Sequence, residues 1–287
     1  MWIADSYAKI NLGLHVLERL PTGYHNIETG FCFLEWRDRF EVQQADEMKL
    51  EMSDDEIPAG EGNLINRAIA ALNRYVGLKH NYHFKVEKRI PAGAGLGGGS
   101  SNAALTLRML NKIENLGLSD DELIDLSRNL GADVPFFIKG KTGIGKGVGH
   151  KIEELSIQPD FWIVTCFPNE SISTAEAYEH CIPNPEPDFW LKKTLTETEI
   201  DEWQYELFND LEQAVFPLHH VVGNLKDQMY EFGALYAAMS GSGSAVYGIF
   251  EQDFVATAAY QGFLELGFPS NLTRPGFTPD YGIYRKE

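Results

Sequence analysis

Residues 91–104, PAGAGLGGGSSNAA, carry the strongest chemical signal in this chain, between an alternating segment (83–90) and an amphipathic one (103–113). Gly93, Gly95, Gly97, Gly98 and Gly99 have no Cβ and accept positive φ, so the backbone here can close on a ligand. A glycine-rich strand-to-helix turn presents unpaired N–H groups at the positive end of a helix dipole, an arrangement that binds phosphates. Pro91, Ala92, Ala94 and Leu96 frame the loop. Ser100 and Ser101 offer hydroxyls to a phosphate, or to the metal that bridges phosphates, and Asn102 follows them into the helix.

Two better-known motifs fail on inspection. Gly93, Gly95 and Gly98 match G-x-G-x-x-G, but no acid stands about 20 positions on at the end of a second strand. The acids found there, Asp120, Asp121 and Glu122, belong to a helix cap. Gly140-Lys141-Thr142 looks like the end of a Walker loop, but its first glycine would have to be Pro135.

Group transfer to a small acceptor also needs a base, a cation and a pocket. Asp133 and Lys9 are the candidates for the first two. Alternation over residues 8–14 puts Lys9 and Asn11 on the strand face opposite Ile10, Leu12 and Leu14. Residues 21–25, PTGYH, form a turn that delivers Tyr24 and His25 to a loop. Residues 240–244, SGSGS, are a second glycine-rich turn. Singly, each has a plainer reading. Lys9 and Asn11 also fit a solvated strand edge, Asp133 a turn or cap, Tyr24 a sheet-edge contact and Lys88 a strand end. A nucleotide-binding module without chemistry remains the alternative for the whole.

The elements that must position these groups follow from periodicity. Strands are expected at 3–17, 29–36, from 39, at 82–86, 161–167 and 245–250, with another closing the chain. Helices are expected at 63–76, through 113, at 174–181, 201–215, 217–232 and 254–266, and from the Ser119–Glu122 capping box to about 130. Residues 46–62 read as acidic and irregular, 136–138 as the start of a strand, and 139–149 as a hairpin. Phe189 and Trp190, in the proline- and charge-rich stretch 183–198, read as a local core plug. Interleaved helices and strands indicate an α+β protein of two layers per domain, with a soft boundary near 154–160.

Composition narrows the classes. With 42 acidic and 24 basic residues among 287, the net charge is −18, which argues against a nucleic-acid or anionic-membrane binder. Cys32, Cys166 and Cys181 are odd in number and lack metal-ligand spacing, which suits a reducing cytoplasm. No run approaches about 18 apolar residues, and no basic start precedes an apolar segment, so neither a membrane span nor a signal peptide is expected.

An ordered set of motifs resembles the GHMP kinases (galactokinase, homoserine kinase, mevalonate kinase and phosphomevalonate kinase). The set runs Ala8-Lys-Ile-Asn-Leu12, Gly23-Tyr-His25, Asn63-Leu64, the 91–104 loop, Gly131-Ala-Asp-Val-Pro135, Ser173-Thr-Ala175, Asn209-Asp-Leu-Glu212 and Met239-Ser-Gly-Ser-Gly-Ser244. It is most similar to the branch whose acceptor carries a cytidine diphosphate group. The resemblance implies two domains. Residues 1–155 would form a ribosomal protein S5 domain 2-like ATP domain, and 156–287 a ferredoxin-like α/β sandwich. It also implies ATP and Mg²⁺ as cofactors, with Asp133 as general base and Lys9 stabilising the alkoxide. Tyr24 would stack on the cytosine, His25 would hydrogen-bond to it, and Asn11 would lie near the substrate hydroxyls. Asn63, Leu64, Lys88 and Asn102 would contact the base and ribose of ATP, Ser101 the metal, and Gly241 and Ser242 would line the acceptor side. The expected partner is a small molecule, bound by a monomer or weak homodimer. Homoserine or a mevalonate derivative is the alternative acceptor. Lys146 and His150 reverse the charge that the family carries around Gly147 and Gly149, so they receive no role.

Overall fold

A computed structural model describes residues 1–155 and 159–286. The chain opens on two long antiparallel strands, β1 (Trp2–Arg19) and β2 (His25–Ala45), and continues with β3 (Lys49–Met52), α1 (Leu64–Val76) and β4 (Asn81–Glu87). Then come α2 (Gly98–Ile113), α3 (Asp120–Ser127), α4 (Val134–Lys139) and the pair β5 (Gly143–Gly147) and β6 (Lys151–Glu154). These strands form one sheet in the order β1-β2-β4-β3, with β5 also paired to β2 and to β6. The second half holds β7 (Trp162–Cys166), α5 (Thr174–Glu179), α6 (Leu191–Glu197), α7 (Trp203–Glu206), α8 (Glu212–Val215) and α9 (His220–Glu231). It closes with β8 (Tyr236–Met239), β9 (Val246–Phe250), α10 (Asp253–Glu265), β10 (Ser270–Thr273) and β11 (Tyr284–Arg285). Its four-stranded sheet runs β10-β7-β9-β8, antiparallel throughout.

The first sheet is buried on both faces, so β1 and β2 carry two alternating apolar sets. Phe31, Phe33 and Phe40 pack under α1–α4, whereas Ile10, Leu12, Cys32 and Leu34 point the other way, into a core shared with Leu191, Leu195, Trp203, Tyr236 and Tyr247. A third core lies between the second sheet and α9 and α10. The chain end returns to the first sheet, where β11 pairs with β1 and Phe277, Tyr281 and Ile283 join the core beneath α1–α4. The expected boundary at 155/156 falls on 156–158, outside the described residues.

The α+β expectation holds, with instructive exceptions. Residues 136–138 belong to α4, not to a strand. Pro135 sits in its first turn, Gly140 ends it at φ 69°, and the aromatic run packs rather than pairs. A short apolar run reads the same in a buried helix and a buried strand. The hairpin begins only at Gly143, and the irregular 46–62 stretch contains β3, parallel to β4. The expected helix over 201–215 is broken into α7 and α8 around Asn209, which forms a β-bridge to Leu14. Phe189 and Trp190 are not a plug, being 39 % and 46 % exposed; Leu191 and Leu195 fill the core instead. Leu14 also changes face. Gly13 (φ 71°) forms a bulge between the pairs Leu12–Gly30 and Leu14–Thr29, so Leu14 joins Lys9 and Asn11 on the side away from Leu12.

Phe136 is fully buried, stacked on Phe31 at 4.7 Å and on Phe33 at 4.4 Å. Phe136→Ala should lower the unfolding free energy by about 3–5 kcal/mol, read from urea midpoints at constant m. A loss under about 1 kcal/mol would mean that α4 is not anchored by this contact.

Candidate active site

The glycine loop keeps the form expected of it. Gly97 (φ 69°) takes the N-cap position of α2 with no side-chain cap, which leaves the first N–H groups of the helix for a ligand. Ala94 and Leu96 are buried and pin the loop. The Ala94 carbonyl accepts from the Ala245 N–H, and the Leu96 carbonyl accepts from the Lys9 N–H, both at 3.0 Å. Gly95 (φ 74°) has no alternative residue. A side chain there would begin 2.0 Å from the Ser240 carbonyl oxygen, on the second glycine turn.

Lys9 lies beneath this crossing, 3 % exposed. Its ammonium donates to Asn11 Oδ1 at 2.5 Å and to the Gly95 carbonyl at 2.8 Å, and lies 3.5 Å from Asp133 Oδ2. Burial pulls its pKa below the ordinary lysine value, and the Asp133 carboxylate opposes that pull. Asn11 cannot rotate freely, because its Nδ2 donates to Thr29 Oγ1 at 2.8 Å and that hydroxyl donates to the Gly13 carbonyl. Asp133 stands at the N-terminus of α4 with its side chain 28 % exposed. An ammonium, a carboxylate and a set of free backbone N–H groups therefore meet in one cavity of about 610 Å³.

Part of the wall of that cavity is aromatic. His25 stacks on Tyr178, with ring centroids 4.9 Å apart and planes inclined by 23°. Burial, reinforced by Arg19, lowers the His25 pKa and favours a neutral imidazole with one donor and one acceptor. Tyr24 lies beside the pair, 67 % exposed. Gly241, Ser242 and Thr174 line the wall between, with the Ser242 and Thr174 hydroxyl oxygens 3.0 Å apart. Tyr178 escaped the sequence reading, although residues 174–181 were expected to be helical. Its signal was its position four residues after Thr174, on the same face of that helix.

Of the residues expected at the site, Lys9, Asn11, Tyr24, His25, Leu64, Gly93, Ala94, Gly95, Gly97, Gly98, Gly99, Ser100, Asp133, Gly241 and Ser242 line this cavity. Others do not. Asn63 caps α1, with Oδ1 accepting from the Ile65 N–H and Nδ2 donating to the Pro58 carbonyl. Lys88 is ion-paired to the buried Asp38 carboxylate, which also accepts from the Arg89 and Ile90 N–H groups. Its Nζ still lies 3.5 Å from where a side chain at Gly98 would begin, at the edge of the loop. Ser101 is buried and accepts a hydrogen bond from Ser6 at 2.7 Å, because one helical step turns it away from Ser100. Asn102 is buried in α2, and Pro91, Ala92 and Leu96 act as the loop's frame. Lys146 points to Glu153 at 3.2 Å and to Glu28 at 4.0 Å. His150 lines a neighbouring hollow that shares Tyr24, Ala132 and Val148 with the main cavity.

Comparison with known proteins gives the family and the fold. A family model described as "GHMP kinases N terminal domain" matches residues 63–141, and "GHMP kinases C terminal" matches 193–266. A 4-diphosphocytidyl-2-C-methyl-D-erythritol kinase of Chlorobium limicola is 40 % identical over 278 residues, covering 95 % of this chain and 96 % of that one. One of Parabacteroides distasonis is 41 % identical over 248 residues, covering 85 % and 90 %. A crystal structure of 4-(cytidine 5'-diphospho)-2C-methyl-D-erythritol kinase superposes with a TM-score of 0.81 at 32 % identity, covering 96 % of this chain and all 100 % of that one. Homoserine kinase from Cytophaga hutchinsonii shares the fold, with a TM-score of 0.68 at 13 % identity over 98 % and 96 % of the two chains.

Two glycines separate backbone strain from loop crowding. Gly95→Ala forces a Cβ against the Ser240 carbonyl, whereas Gly117, with nearly the same φ of 72°, has nothing within 4 Å of a Cβ. Gly117→Ala should cost about 1–2 kcal/mol of stability and leave ATP affinity intact. Gly95→Ala should weaken ATP binding by about tenfold or more, as titration calorimetry would show; equal affinities in the two variants would mean that the loop does not hold the phosphates.

Proposed function

The chain belongs to the GHMP kinase family, and we propose that it transfers the γ-phosphoryl group of ATP to the 2-hydroxyl of 4-diphosphocytidyl-2-C-methyl-D-erythritol, within the methylerythritol phosphate route to isoprenoid precursors. One observation carries the acceptor assignment. The Lys9–Asp133 pair shares one cavity with a glycine-rich loop suited to phosphates and with an aromatic group made of Tyr24, His25 and Tyr178. A homoserine or mevalonate acceptor has no ring to occupy such a group. A cytosine does: Tyr24 and Tyr178 offer faces for stacking, and neutral His25 offers a donor and an acceptor.

In this reading the polyphosphate lies on the N–H groups that open α2, with the Ser100 hydroxyl beside it. The acceptor hydroxyl sits between Lys9 and Asp133. Its oxygen attacks the γ-phosphorus in line as the bond to the ADP oxygen breaks, and its proton passes to an Asp133 carboxylate oxygen. The Lys9 ammonium, 3.5 Å from Asp133 Oδ2, stabilises the developing alkoxide. Asn11, bonded to Lys9, fixes the direction of that charge.

The fit for Mg²⁺ rests on the donor set. Among the described residues no three His, Cys, Asp or Glu side chains cluster as a cage, and Asp133 is the carboxylate on the cavity wall. One carboxylate with phosphate oxygens and water suits Mg²⁺, and the half-buried Ser100 hydroxyl, on the cavity wall, is better placed for it than the buried Ser101. Bound with the nucleotide, Mg²⁺ would neutralise phosphate charge.

Every group invoked here comes from one chain, so a single copy suffices. No described helix is long and apolar enough to cross a membrane. Cys32, Cys166 and Cys181 are buried free thiols, which supports a cytoplasmic setting.

Purified protein with ATP, Mg²⁺ and a panel of acceptors, followed by ADP release, tests the assignment. Turnover of the cytidine diphosphate acceptor is expected. Turnover of homoserine or a mevalonate derivative in its place would overturn it. Asp133→Asn should cut kcat by roughly 10²–10⁴-fold with ATP affinity near normal, as expected for loss of a general base; wild-type kcat would remove Asp133 from that role.

The ammonium form of Lys9 is the active one, so activity should fall as pH rises through its pKa. Burial lowers that pKa, which sets the alkaline limb of kcat below the ordinary lysine value of 10.5. Lys9→Arg should be slower but should lose the limb, since guanidinium does not titrate there. An unmoved limb would assign it to another group.

A further inference from the structure

The segment Asn209-Asp210-Leu211-Glu212 lies outside the cavity, yet its side chains hold two walls of it. Asn209 is 3 % exposed, and both of its amide donors and its amide oxygen are engaged. Its Nδ2 donates to the Met239 and Gly241 carbonyls, both at 2.8 Å, and its Oδ1 accepts from the Leu211 N–H at 3.0 Å. Those three bonds fix which way the amide faces, because only an NH₂ group can serve two carbonyls. Glu212 Oε1 accepts from the Met239 N–H at 2.8 Å, while Glu212 Oε2 is ion-paired with Lys226 at 2.6 Å. Asp210 binds the other wall: its N–H donates to the Leu14 carbonyl and its Oδ2 accepts from the Val16 N–H, both at 2.8 Å.

The bond to Gly241 distinguishes this arrangement from ordinary packing. Strand β8 ends at Met239, so no sheet pairing needs the Gly241 carbonyl to be held. What that bond sets is the height of the second glycine turn above Lys9. A side chain at Gly241 would begin 3.0 Å from Asn11 Oδ1 and 3.6 Å from Lys9 Nζ. The neighbouring Ser240 hydroxyl donates to the Gly95 carbonyl at 3.0 Å, the same oxygen that Lys9 Nζ reaches at 2.8 Å. On the other side Ser242 meets Thr174, the first residue of the helix that carries Tyr178. One buried amide thus fixes the spacing between the ammonium and the acceptor wall.

We propose that Asn209 is a positioning residue for phosphoryl transfer, which aligns the acceptor hydroxyl with Lys9 and Asp133 by holding the Gly241 carbonyl. The role rests on the functional reading above. Asn209→Asp tests it: the shape and the bond to the Leu211 N–H are kept, but an oxygen now faces two carbonyl oxygens. Asn209→Ser, too short to reach either carbonyl, is the second variant. Both should lower kcat/KM for the cytidine diphosphate acceptor by about 10²-fold, mostly through acceptor KM, while KM for ATP stays within about twofold. A structural role alone would reduce the active fraction without splitting the two KM values. Unchanged acceptor KM in folded variants would overturn the role of Asn209. So would failure of both variants to fold, which would place Asn209 in the assembly of the domain. Wild-type protein run alongside separates the premises: no wild-type turnover fails the functional reading itself, whereas wild-type turnover with unaltered variants fails only Asn209.

Discussion

Burying the ammonium of Lys9 is the constraint on which the rest of the site depends. An unpaired buried charge is among the costliest features a fold can contain, and it persists only when partners surround it. Lys9 has three, and they come from different parts of the chain. Asn11 is its neighbour on β1, the Gly95 carbonyl belongs to the phosphate loop, and Asp133 stands at the start of α4. Folding cannot satisfy the ammonium without bringing all three together, so solvating one side chain assembles the proposed catalytic arrangement. The same contacts leave one carboxylate facing the cavity.

That assembly is possible because β1 and β2 are buried on both faces. The side away from α1–α4 packs against Leu191, Trp203, Tyr236 and Tyr247, so the strand cannot slide or tilt to relieve a poor contact at Lys9. On the other side, the stacked rings of Phe31, Phe33 and Phe136 set the height of α4 and with it the reach of Asp133. A rigid sheet clamped between two cores suits chemistry that depends more on position and charge than on covalent intermediates.

What could be read in advance follows how local each cause is. The glycine loop, the α3 capping box, and Lys9 and Asn11 on one strand face all rest on short-range rules, and all appear in the structure. The family motifs added roles for Asp133, Tyr24 and His25, which no spacing alone would have joined. Leu14 was misplaced because the bulge at Gly13 answers to distant packing: a side chain there would begin 2.7 Å from both Leu191 and Leu207. The strand expected at 136–138 failed because Phe-Phe-Ile suits either buried state, and the stacking that decides it involves residues a hundred positions away. Phe189 and Trp190 were assigned to the core by size alone, whereas the fold gave the adjacent Leu191 that place. Tyr178 was missed, and Asn209, seen only as part of a family motif, received no role, for a related reason. Each acts through a partner, His25 or the Gly241 carbonyl, that only the tertiary structure supplies.

The strong negative charge of the chain bears on selectivity rather than against phosphate binding. At physiological ionic strength, exposed charges more than about 8 Å away are largely screened, so the surface acids act weakly inside the cleft. Within it the charged side chains on the wall are Lys9 and Asp133, and the remaining polarity toward the loop comes from backbone N–H groups. A nucleotide that arrives with its own metal brings little net repulsion to such a site. A long polyanion would have to lie across the acidic surface as well as in the cleft. A net charge of −18 therefore disfavours nucleic acid while leaving a small phosphorylated ligand largely unaffected.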